Sequence, residues 1–293
     1  LEAHSVLGGC TQAFRERGLE FDAGLHYVGG RVMQRRSLPR RAMDHITDEQ
    51  VAWVRIDGVY DVAVVDGETY EMSAGKQEAE LMARFPHDAN VVKDVFADMR
   101  KQRAVFSKLF TDQIASGYVH PAVVALFQDK TQGQETINEA LDRLKVTNPK
   151  LRRVLCYHLG DVGVSEANGS WLIMSLLWTT YEAGAAYPRG GPSVIAEAVR
   201  RVIERADGRC VTSARVESIL VENGAATGVR LQGREIPLRA HKVISCVGAR
   251  NTFNGLLANE KSVDKMRRLL AELPNGESFF VVFVALRGTP DEL

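Results

Sequence analysis

The sequence predicts an α/β protein whose two domains are interleaved along the chain, and three observations predict it. Strand-type residues gather around Asp-Gly turns at residues 53–72. Helical spacing of apolar residues takes over at residues 88–181. After a sharp break at Tyr187-Pro188-Arg189-Gly190-Gly191-Pro192, a helix and a second set of strands return. A length of 293 residues suits two domains. Because one kind of element stops and later resumes, each domain is expected to be assembled from separated pieces.

Taken in order, residues 1–30 are glycine-rich and mixed, and residues 35–41 are basic and contain Pro39, which predicts a surface loop. Asp57-Gly58 and Asp66-Gly67 predict two-residue hairpin turns, because such turns need positive φ, which glycine adopts without steric cost. Val62, Val64 and Tyr70 flank the second of them. Pro86 should end one helix and Asp88 should cap the next. Along that next helix Val92, Val95, Phe96, Met99, Phe106, Leu109 and Phe110 share one face. Ile137, Ala140, Leu141 and Leu144 mark another amphipathic helix. Residues 171–181 are apolar almost all round, as in a buried helix or the wall of an apolar pocket.

Beyond the break, Val194, Ile195, Ala198, Val199, Val202 and Ile203 form the stripe of a helix that Pro192 opens and Gly208 closes. Residues 210–248 read as successive strands, with turns at Asn223-Gly224 and Gln232-Gly233. The last, "KVISCVG" at 242–248, has the look of a buried strand in a parallel sheet. Residues 263–273 predict a helix and residues 278–287 an apolar strand.

Composition excludes several classes. Lys+Arg and Asp+Glu both number 37, so the net charge is zero and there is no electrostatic case for nucleic acid as a partner. Four separated cysteines without CxxC make neither a disulfide framework nor a zinc site, and the seven histidines show no metal-ligand spacing. The thiols therefore read as reduced and no metal is expected. The longest apolar run, residues 279–286, is eight long, against about 20 for a membrane helix. No signal peptide is visible, and Leu1 is not a natural start, so a targeting segment, if there is one, is expected outside these residues.

The dinucleotide fingerprint GxGxxG is absent: Gly8-Gly9, Gly29-Gly30 and Gly190-Gly191 lack its spacing. What should follow such a fingerprint is present. In a dinucleotide-binding fold an acidic residue about 20 positions past the glycines ends the second strand and accepts hydrogen bonds from ribose hydroxyls. Glu2 in "LEAH" fits that role where a strand runs into Leu1; the plainer reading is a glutamate at a chain end.

"LEAH", "GGCTQAF", "GLEFDAGLHYVGG" and, 150 residues on, "YPRGG" resemble the retinol saturase branch of the flavoprotein family that includes phytoene desaturases and carotenoid isomerases. With "LGDVGV" at 159–164 and "KVISCVGA" at 242–249, the resemblance covers nearly the whole chain. It implies a Rossmann-like FAD-binding domain, incomplete, over residues 1–43 and 187–256, with its first βα unit missing. A substrate or cap domain of mixed sheet plus helices would occupy 44–186 and 257–293. Family members carry a strand, a GxGxxG turn and a helix before this glutamate, and a C-terminal segment that closes the FAD site. The chain is accordingly expected to be a fragment lacking both ends, and to bind FAD weakly by itself.

By that resemblance Glu2 would hold the adenosine ribose, and Gly8 and Gly9 would let the backbone approach the pyrophosphate. Gly24 would carry the chain past the flavin end, with His26 and Tyr27 near the ring. Val216 would offer its backbone to the adenine edge, and Gly248 would lie where a strand ends beneath the cofactor. Reduction of a carbon–carbon double bond also needs a proton donor, for which His26 and Tyr187 are the candidates. The plainer readings are a turn at Gly8-Gly9, packed side chains at His26 and Tyr187, and a core strand at Val216.

The activity implied is saturation, desaturation or isomerisation of an apolar isoprenoid or retinoid-like small molecule. A flavin amine oxidase-like enzyme and an inactive fragment acting as an interaction module are the alternatives. Phe106, Leu109, Phe110, Val123, Leu126 and Phe127 read either as core or as a tunnel for a polyene. The tunnel reading brings peripheral contact with a membrane surface, from which apolar ligands are drawn, and a location in the cytoplasm or on such a surface. The reading also sets a structural condition: Leu1–His4 should lie in a parallel sheet beside Lys242–Gly248.

Overall fold

The computed structural model describes residues 1–116, 135–273 and 280–289, apart from the side chains of Leu109 and residues 111–116. The chain forms two compact units, each gathered from separated segments. The first comprises Leu1–Gly24, Ile46–Asp48 and Pro192–Gly276; the second comprises Leu25–His45, Glu49–Gly191 and Glu277–Leu293.

In the first unit, strands Ala13–Glu16 and Leu19–Asp22 form a hairpin through Arg17-Gly18, whose φ values are 52° and 82°. Both turn residues are left-handed, the geometry whose twist suits a two-residue hairpin. Arginine is not a turn former, so the sequence hides this hairpin. Strands Val216–Glu222 and Ala225–Leu231 turn through Asn223-Gly224 (φ 54° and 77°), as that dipeptide predicts. Leu238–Arg239 adds a third strand, so Gln232-Gly233 opens a longer connection rather than a two-residue turn.

The helix Ser193–Arg205 buries Ile195 and Ala198. It closes one residue earlier than predicted. Asp207 (φ 59°) takes the left-handed position, and the Gly208 N–H donates to the Ile203 carbonyl at 2.9 Å. Glycine is still required at 208, where a Cβ would lie 2.6 Å from Ile203 Cγ2. The helix Asp264–Glu272 forms where expected and buries Leu270.

Two expectations for this unit fail. Lys242–Gly248 is not a strand, and Ile244 is 89% exposed. An apolar run becomes a strand only where a neighbour takes up its backbone groups, and none of the described strands does. Nor does Leu1–His4 lie in a parallel sheet, since every ladder among the described residues is antiparallel. Glu2 is nonetheless tied down: its N–H donates to the Val211 carbonyl and its carbonyl accepts from the Ala214 N–H, both at 2.8 Å.

In the second unit, Ala185–Pro188 is the central strand of an antiparallel sheet between Val28–Gly29 and Trp53–Ile56. Val59–Val65 and Glu68–Ser73 form a hairpin through Asp66-Gly67 (φ 52° and 77°). Asp57-Gly58 makes no hairpin. Only Gly58 there has positive φ, and the strand before it pairs with Ala185–Pro188 instead. The basic stretch is loop only to Ser37. Leu38–Thr47 is a helix with Pro39 in its first turn, where a missing N–H is harmless.

The core of this unit is helical. Ala89–Ser116 buries Val92, Val95, Phe96 and Met99, and Phe96 meets Trp178 of the helix Trp171–Thr180 edge-on at 5.3 Å. Ile137–Arg143 starts with a reciprocal cap between Thr136 and Glu139, and Pro149–Leu155 starts on the Asn148 side chain. Asn148 Nδ2 also donates to the Asp88 carboxylate at 2.7 Å. Phe106 is half-buried and stacks on exposed Phe110. The predicted apolar strand at 278–287 is not one where it is described, and Phe280 is 94% exposed. Val123, Leu126, Phe127 and residues 274–279 lie outside the described residues.

Candidate functional site

All six residues expected to bind a cofactor fall in the first unit. The hairpin Ala13–Asp22 organises three of them. It returns the chain so that the Ala23 N–H donates to the Gln12 carbonyl at 2.8 Å. Gly24 then packs on Cys10, where a Cβ would lie 3.0 Å from the Cys10 carbonyl oxygen. Cys10 sits in the short turn Gly9–Thr11, so Gly24 packs against the turn that follows Gly8.

Both glycines of that pair have positive φ, 121° and 55°. A Cβ on Gly8 would press on Thr11 Oγ1 (2.8 Å) and on Ala196 in the first turn of Ser193–Arg205 (3.1 Å). Gly9 has open space where a Cβ would project, and its N–H has no partner among the described residues. An open backbone N–H in a glycine turn beside a helix start is what a diphosphate requires.

Glu2 and Val216 are related through one strand entry. The backbone of Glu2 is bonded to Val211 and Ala214, and Val216 begins the next strand. One oxygen of the Glu2 carboxylate accepts from the His4 N–H at 2.7 Å. Gly248 has φ 87° and accepts from Thr252 N–H and Oγ1, and its own Cβ direction is open.

The two proton-donor candidates fall in the second unit. His26 is exposed, its ring 4.3 Å from Tyr27 and nearly perpendicular to it. Tyr187 lies in the central strand opposite Val54.

Tyr27, not singled out as a proton donor, opens onto a buried polar cluster. Its hydroxyl donates to Asp61 Oδ2 at 3.0 Å, and its ring meets Tyr181 edge-on. Tyr181 stacks on Tyr60 and, from its other neighbour, on His158 at 5.6 Å. His158 is 1% exposed, and its Nδ1 lies 3.0 Å from Asp161 Oδ2. Burial, with Asp161 and Asp61 nearby, raises the Tyr181 hydroxyl to about 12. Burial foremost, then Asp61, pushes Tyr27 further up; burial foremost, then Tyr60 and Asp61, does the same to Tyr157. These phenols stay protonated and act as donors. The sequence carried one signal for the cluster: Tyr157-His158 closes an apolar helical stretch, and Asp161 follows one turn later.

Two open clefts, of about 500 Å³ and 510 Å³, contain none of the predicted site residues. The first, in the second unit, is lined by Gln77, Glu78, Arg100 and Glu182, with Arg100 held between the two carboxylates. Among the described residues no group of acidic, histidine or cysteine side chains is placed to hold a metal ion.

No protein-family model matches the sequence. The whole chain is 30% identical to human all-trans-retinol 13,14-reductase, covering 50% of that protein. An inactive all-trans-retinol 13,14-reductase of Danio rerio is 28% identical, again over the whole chain and 50% of the relative. A neurosporene-forming phytoene desaturase of Cereibacter sphaeroides is 29% identical over 87% of this chain and 49% of its own. The chain thus spans about half the length of the curated relatives it matches.

Among solved structures, a Pyrococcus furiosus protein shares the fold with a TM-score of 0.60 at 17% identity, over 93% of this chain and 58% of that one. An oxidoreductase of Methanosarcina mazei gives 0.57 at 17%, over 92% and 57%. A putrescine oxidase with redesigned cofactor binding gives 0.56 at 16%, over 85% and 52%. The mixed α/β architecture is therefore that of known oxidoreductases.

Proposed function

Because the chain belongs to the family of retinol saturases and carotenoid desaturases, we propose that it is part of an FAD-dependent oxidoreductase acting on carbon–carbon double bonds of an apolar isoprenoid. The observation that carries this reading is similarity along the whole chain to all-trans-retinol 13,14-reductase.

Bound flavin supplies the hydride chemistry in this class, while the protein supplies position, shape and exclusion of water. In this proposal the first unit is the cofactor domain. Glu2 offers the ribose a carboxylate with one oxygen already held by His4. The open Gly9 N–H and the close packing at Gly8 and Gly24 support a diphosphate site there. Val216 and Gly248 serve the adenine edge and the cofactor's underside. The second unit is the substrate domain, its helical core shaping the space for an apolar chain. His26 and Tyr187 remain the proton-donor candidates; exposure favours His26 for exchange with solvent. Contact with a membrane surface belongs to the same proposal. No helix of the described residues is long and apolar enough to cross a membrane.

The test is the flavin. Protein purified together with its flanking sequence should be yellow, with absorbance that bleaches on reduction, and should turn over a polyene and not an amine. A folded, colourless protein that takes up no FAD overturns the proposal. Turnover of an amine would favour the amine oxidase reading, which has the putrescine oxidase fold behind it and nothing more. Flavin binding without turnover would favour the inactive reading, which the inactive Danio rerio relative keeps in view. The 293 residues alone should bind FAD weakly, because they contain no GxGxxG turn.

A further inference from the structure

The arginines around the turn Tyr181–Ala183 are unevenly supplied with partners. Arg100, on the helix Ala89–Ser116, holds two carboxylates, Glu182 at 2.6 Å and Glu78 at 2.7 Å. Arg103, about one turn on, has only the edge of one. Its Nη1 lies 3.5 Å from Glu182 Oε2 and 3.5 Å from the Thr179 carbonyl oxygen. Arg55 turns to a carbonyl, donating to Ala183 at 3.1 Å. Arg31 has less still: its Nε is buried without a partner, and its guanidinium makes no hydrogen bond or ion pair among the described residues.

A buried N–H on a permanent cation is expensive to leave unpaired. The backbone that carries Arg31 is also held in place. Gly30 donates to the Gly184 carbonyl at 2.6 Å, and Val32 on the other side is buried. Arg103 feels the neighbouring cation: burial foremost, and then the Arg31 charge, lowers its pKa from the ordinary arginine value. Two like charges thus stand near one another with the edge of a single carboxylate to share. An anion from outside relieves both defects at once. Neither guanidinium is sealed off, since Arg103 is 24% exposed and Arg31 is half-buried.

The surroundings say what the anion is attached to. Arg103, Phe106 and Phe110 stand at i, i+3 and i+7 and share one side of their helix. The two rings stack at 5.9 Å, and Phe110 is 45% exposed. An apolar strip leading away from the cations suits an apolar chain. The flat fork of a guanidinium matches the flat fork of a carboxylate, which accepts two N–H groups side by side. An alcohol of the same length brings no charge to the arginines.

We propose that Arg31 and Arg103 form a carboxylate-binding site in the second unit, which takes the head of an apolar acid whose chain lies along Phe106 and Phe110. The inference goes beyond the double-bond chemistry above and does not depend on it, since neither flavin nor polyene enters it.

The test is calorimetric titration of the chain with decanoate, decanol, acetate and inorganic phosphate. Decanoate should bind about tenfold more tightly than decanol, the worth of charged hydrogen bonds at a partly exposed site. Arg31→Gln should bring that ratio to about one. It removes no bond that the structure contains, so a loss of folding does not cloud the result. Arg103→Gln should do the same, with an unchanged urea midpoint as its control. Arg31→Lys, which keeps the charge but not the fork, should restore part of the preference. Phe110→Ala should weaken decanoate about threefold and leave acetate unaffected. Equal binding of decanoate and decanol overturns the site, as does a preference that survives Arg31→Gln. Tighter binding of phosphate than of decanoate overturns the carboxylate head, and acetate binding as tightly as decanoate overturns the apolar chain. Absence of binding by all four removes the site altogether and leaves the flavin test of the proposed function untouched.

Discussion

The second unit contains the chain's main core: Phe96, Met72, Leu81, Met99, Leu141, Leu151, Trp171 and Trp178 are all essentially inaccessible. The first unit buries much less, chiefly Ile195, Ala198, Ala214, Val229, Leu231 and Leu270 among its described residues. Meanwhile Ile236, Ile244 and Val247 stand exposed there. One unit is held by interdigitated side chains. The other relies on short hairpins and backbone contacts. The difference matches the work proposed for each: a cofactor is gripped by backbone at glycines, whereas an apolar substrate needs walls of side chains.

The contrast is broken or sharpened most strongly in the cores. Phe96→Ala should destabilise the second unit by about 3–5 kcal/mol, because the hole lies among side chains too crowded to collapse into it. Ile195→Ala in the first unit should cost about 2 kcal/mol, since the residue is at the rim of a thinner core. Tryptophan fluorescence in urea reports the second unit alone, for Trp53, Trp171 and Trp178 all lie there. Hydrogen exchange along Ser193–Arg205 reports the first. Equal losses would mean the two cores are not different in kind.

Glycines carry the next effect. A Cβ on Gly30 in the second unit would fall 2.1 Å from the Ala183 carbonyl oxygen, backbone against backbone, so Gly30→Ala should cost about 3 kcal/mol. At Gly9 in the first unit the space is open, and only the left-handed φ of 55° resists. Gly9→Ala should cost about 1 kcal/mol. Comparable urea midpoints for the two variants would show that the tight approach at Gly30 relaxes easily.

What could be read in advance follows the same division. The helices Ala89–Ser116 and Ile137–Arg143 were visible because one residue in three or four faces a core that exists within the second unit. Asn223-Gly224 and Asp66-Gly67 were visible because a two-residue turn is chosen by its own dihedral angles. Asp57-Gly58 shows the limit: the dipeptide permits a hairpin, but the strand before it finds a better partner in Ala185–Pro188. Lys242–Gly248 fails more completely, because a strand is a relation between segments and an apolar run announces only one side of it. At the candidate site, Glu2, Gly8, Gly9 and Gly24 were legible through a resemblance in motif order. The Tyr157–His158–Asp161 cluster was not, since its meaning depends on Tyr27, Tyr60 and Tyr181 arriving from three distant places. Arg17-Gly18 was missed for a simpler reason, an arginine where turn formers are expected.

The smallest effect concerns charge. Burial alone would raise the Asp98 carboxyl, but hydrogen bonds from Arg143 and from Trp171 Nε1 (2.7 Å) outweigh it and hold the group below the usual carboxylate range. A depressed folded pKa contributes stability that is present above the unfolded value, about 3.9, and is lost as pH falls through the folded one. Asp98→Asn keeps an acceptor for Trp171 and removes the charge facing Arg143 together with one of the two oxygens that accept from it. At pH 7 it should cost about 1 kcal/mol, and the gap from the unaltered protein should close as pH drops below about 4. In the first unit Glu197 is drawn down to about 2 by hydrogen bonds from Arg200, but on an exposed helix face where solvent screens the gain. Glu197→Gln should therefore shift the exchange protection of its helix by less than Asp98→Asn shifts the fluorescence transition. A gap at Asp98 that persists unchanged at pH 3 would show that shape, and not charge, holds that corner of the second unit.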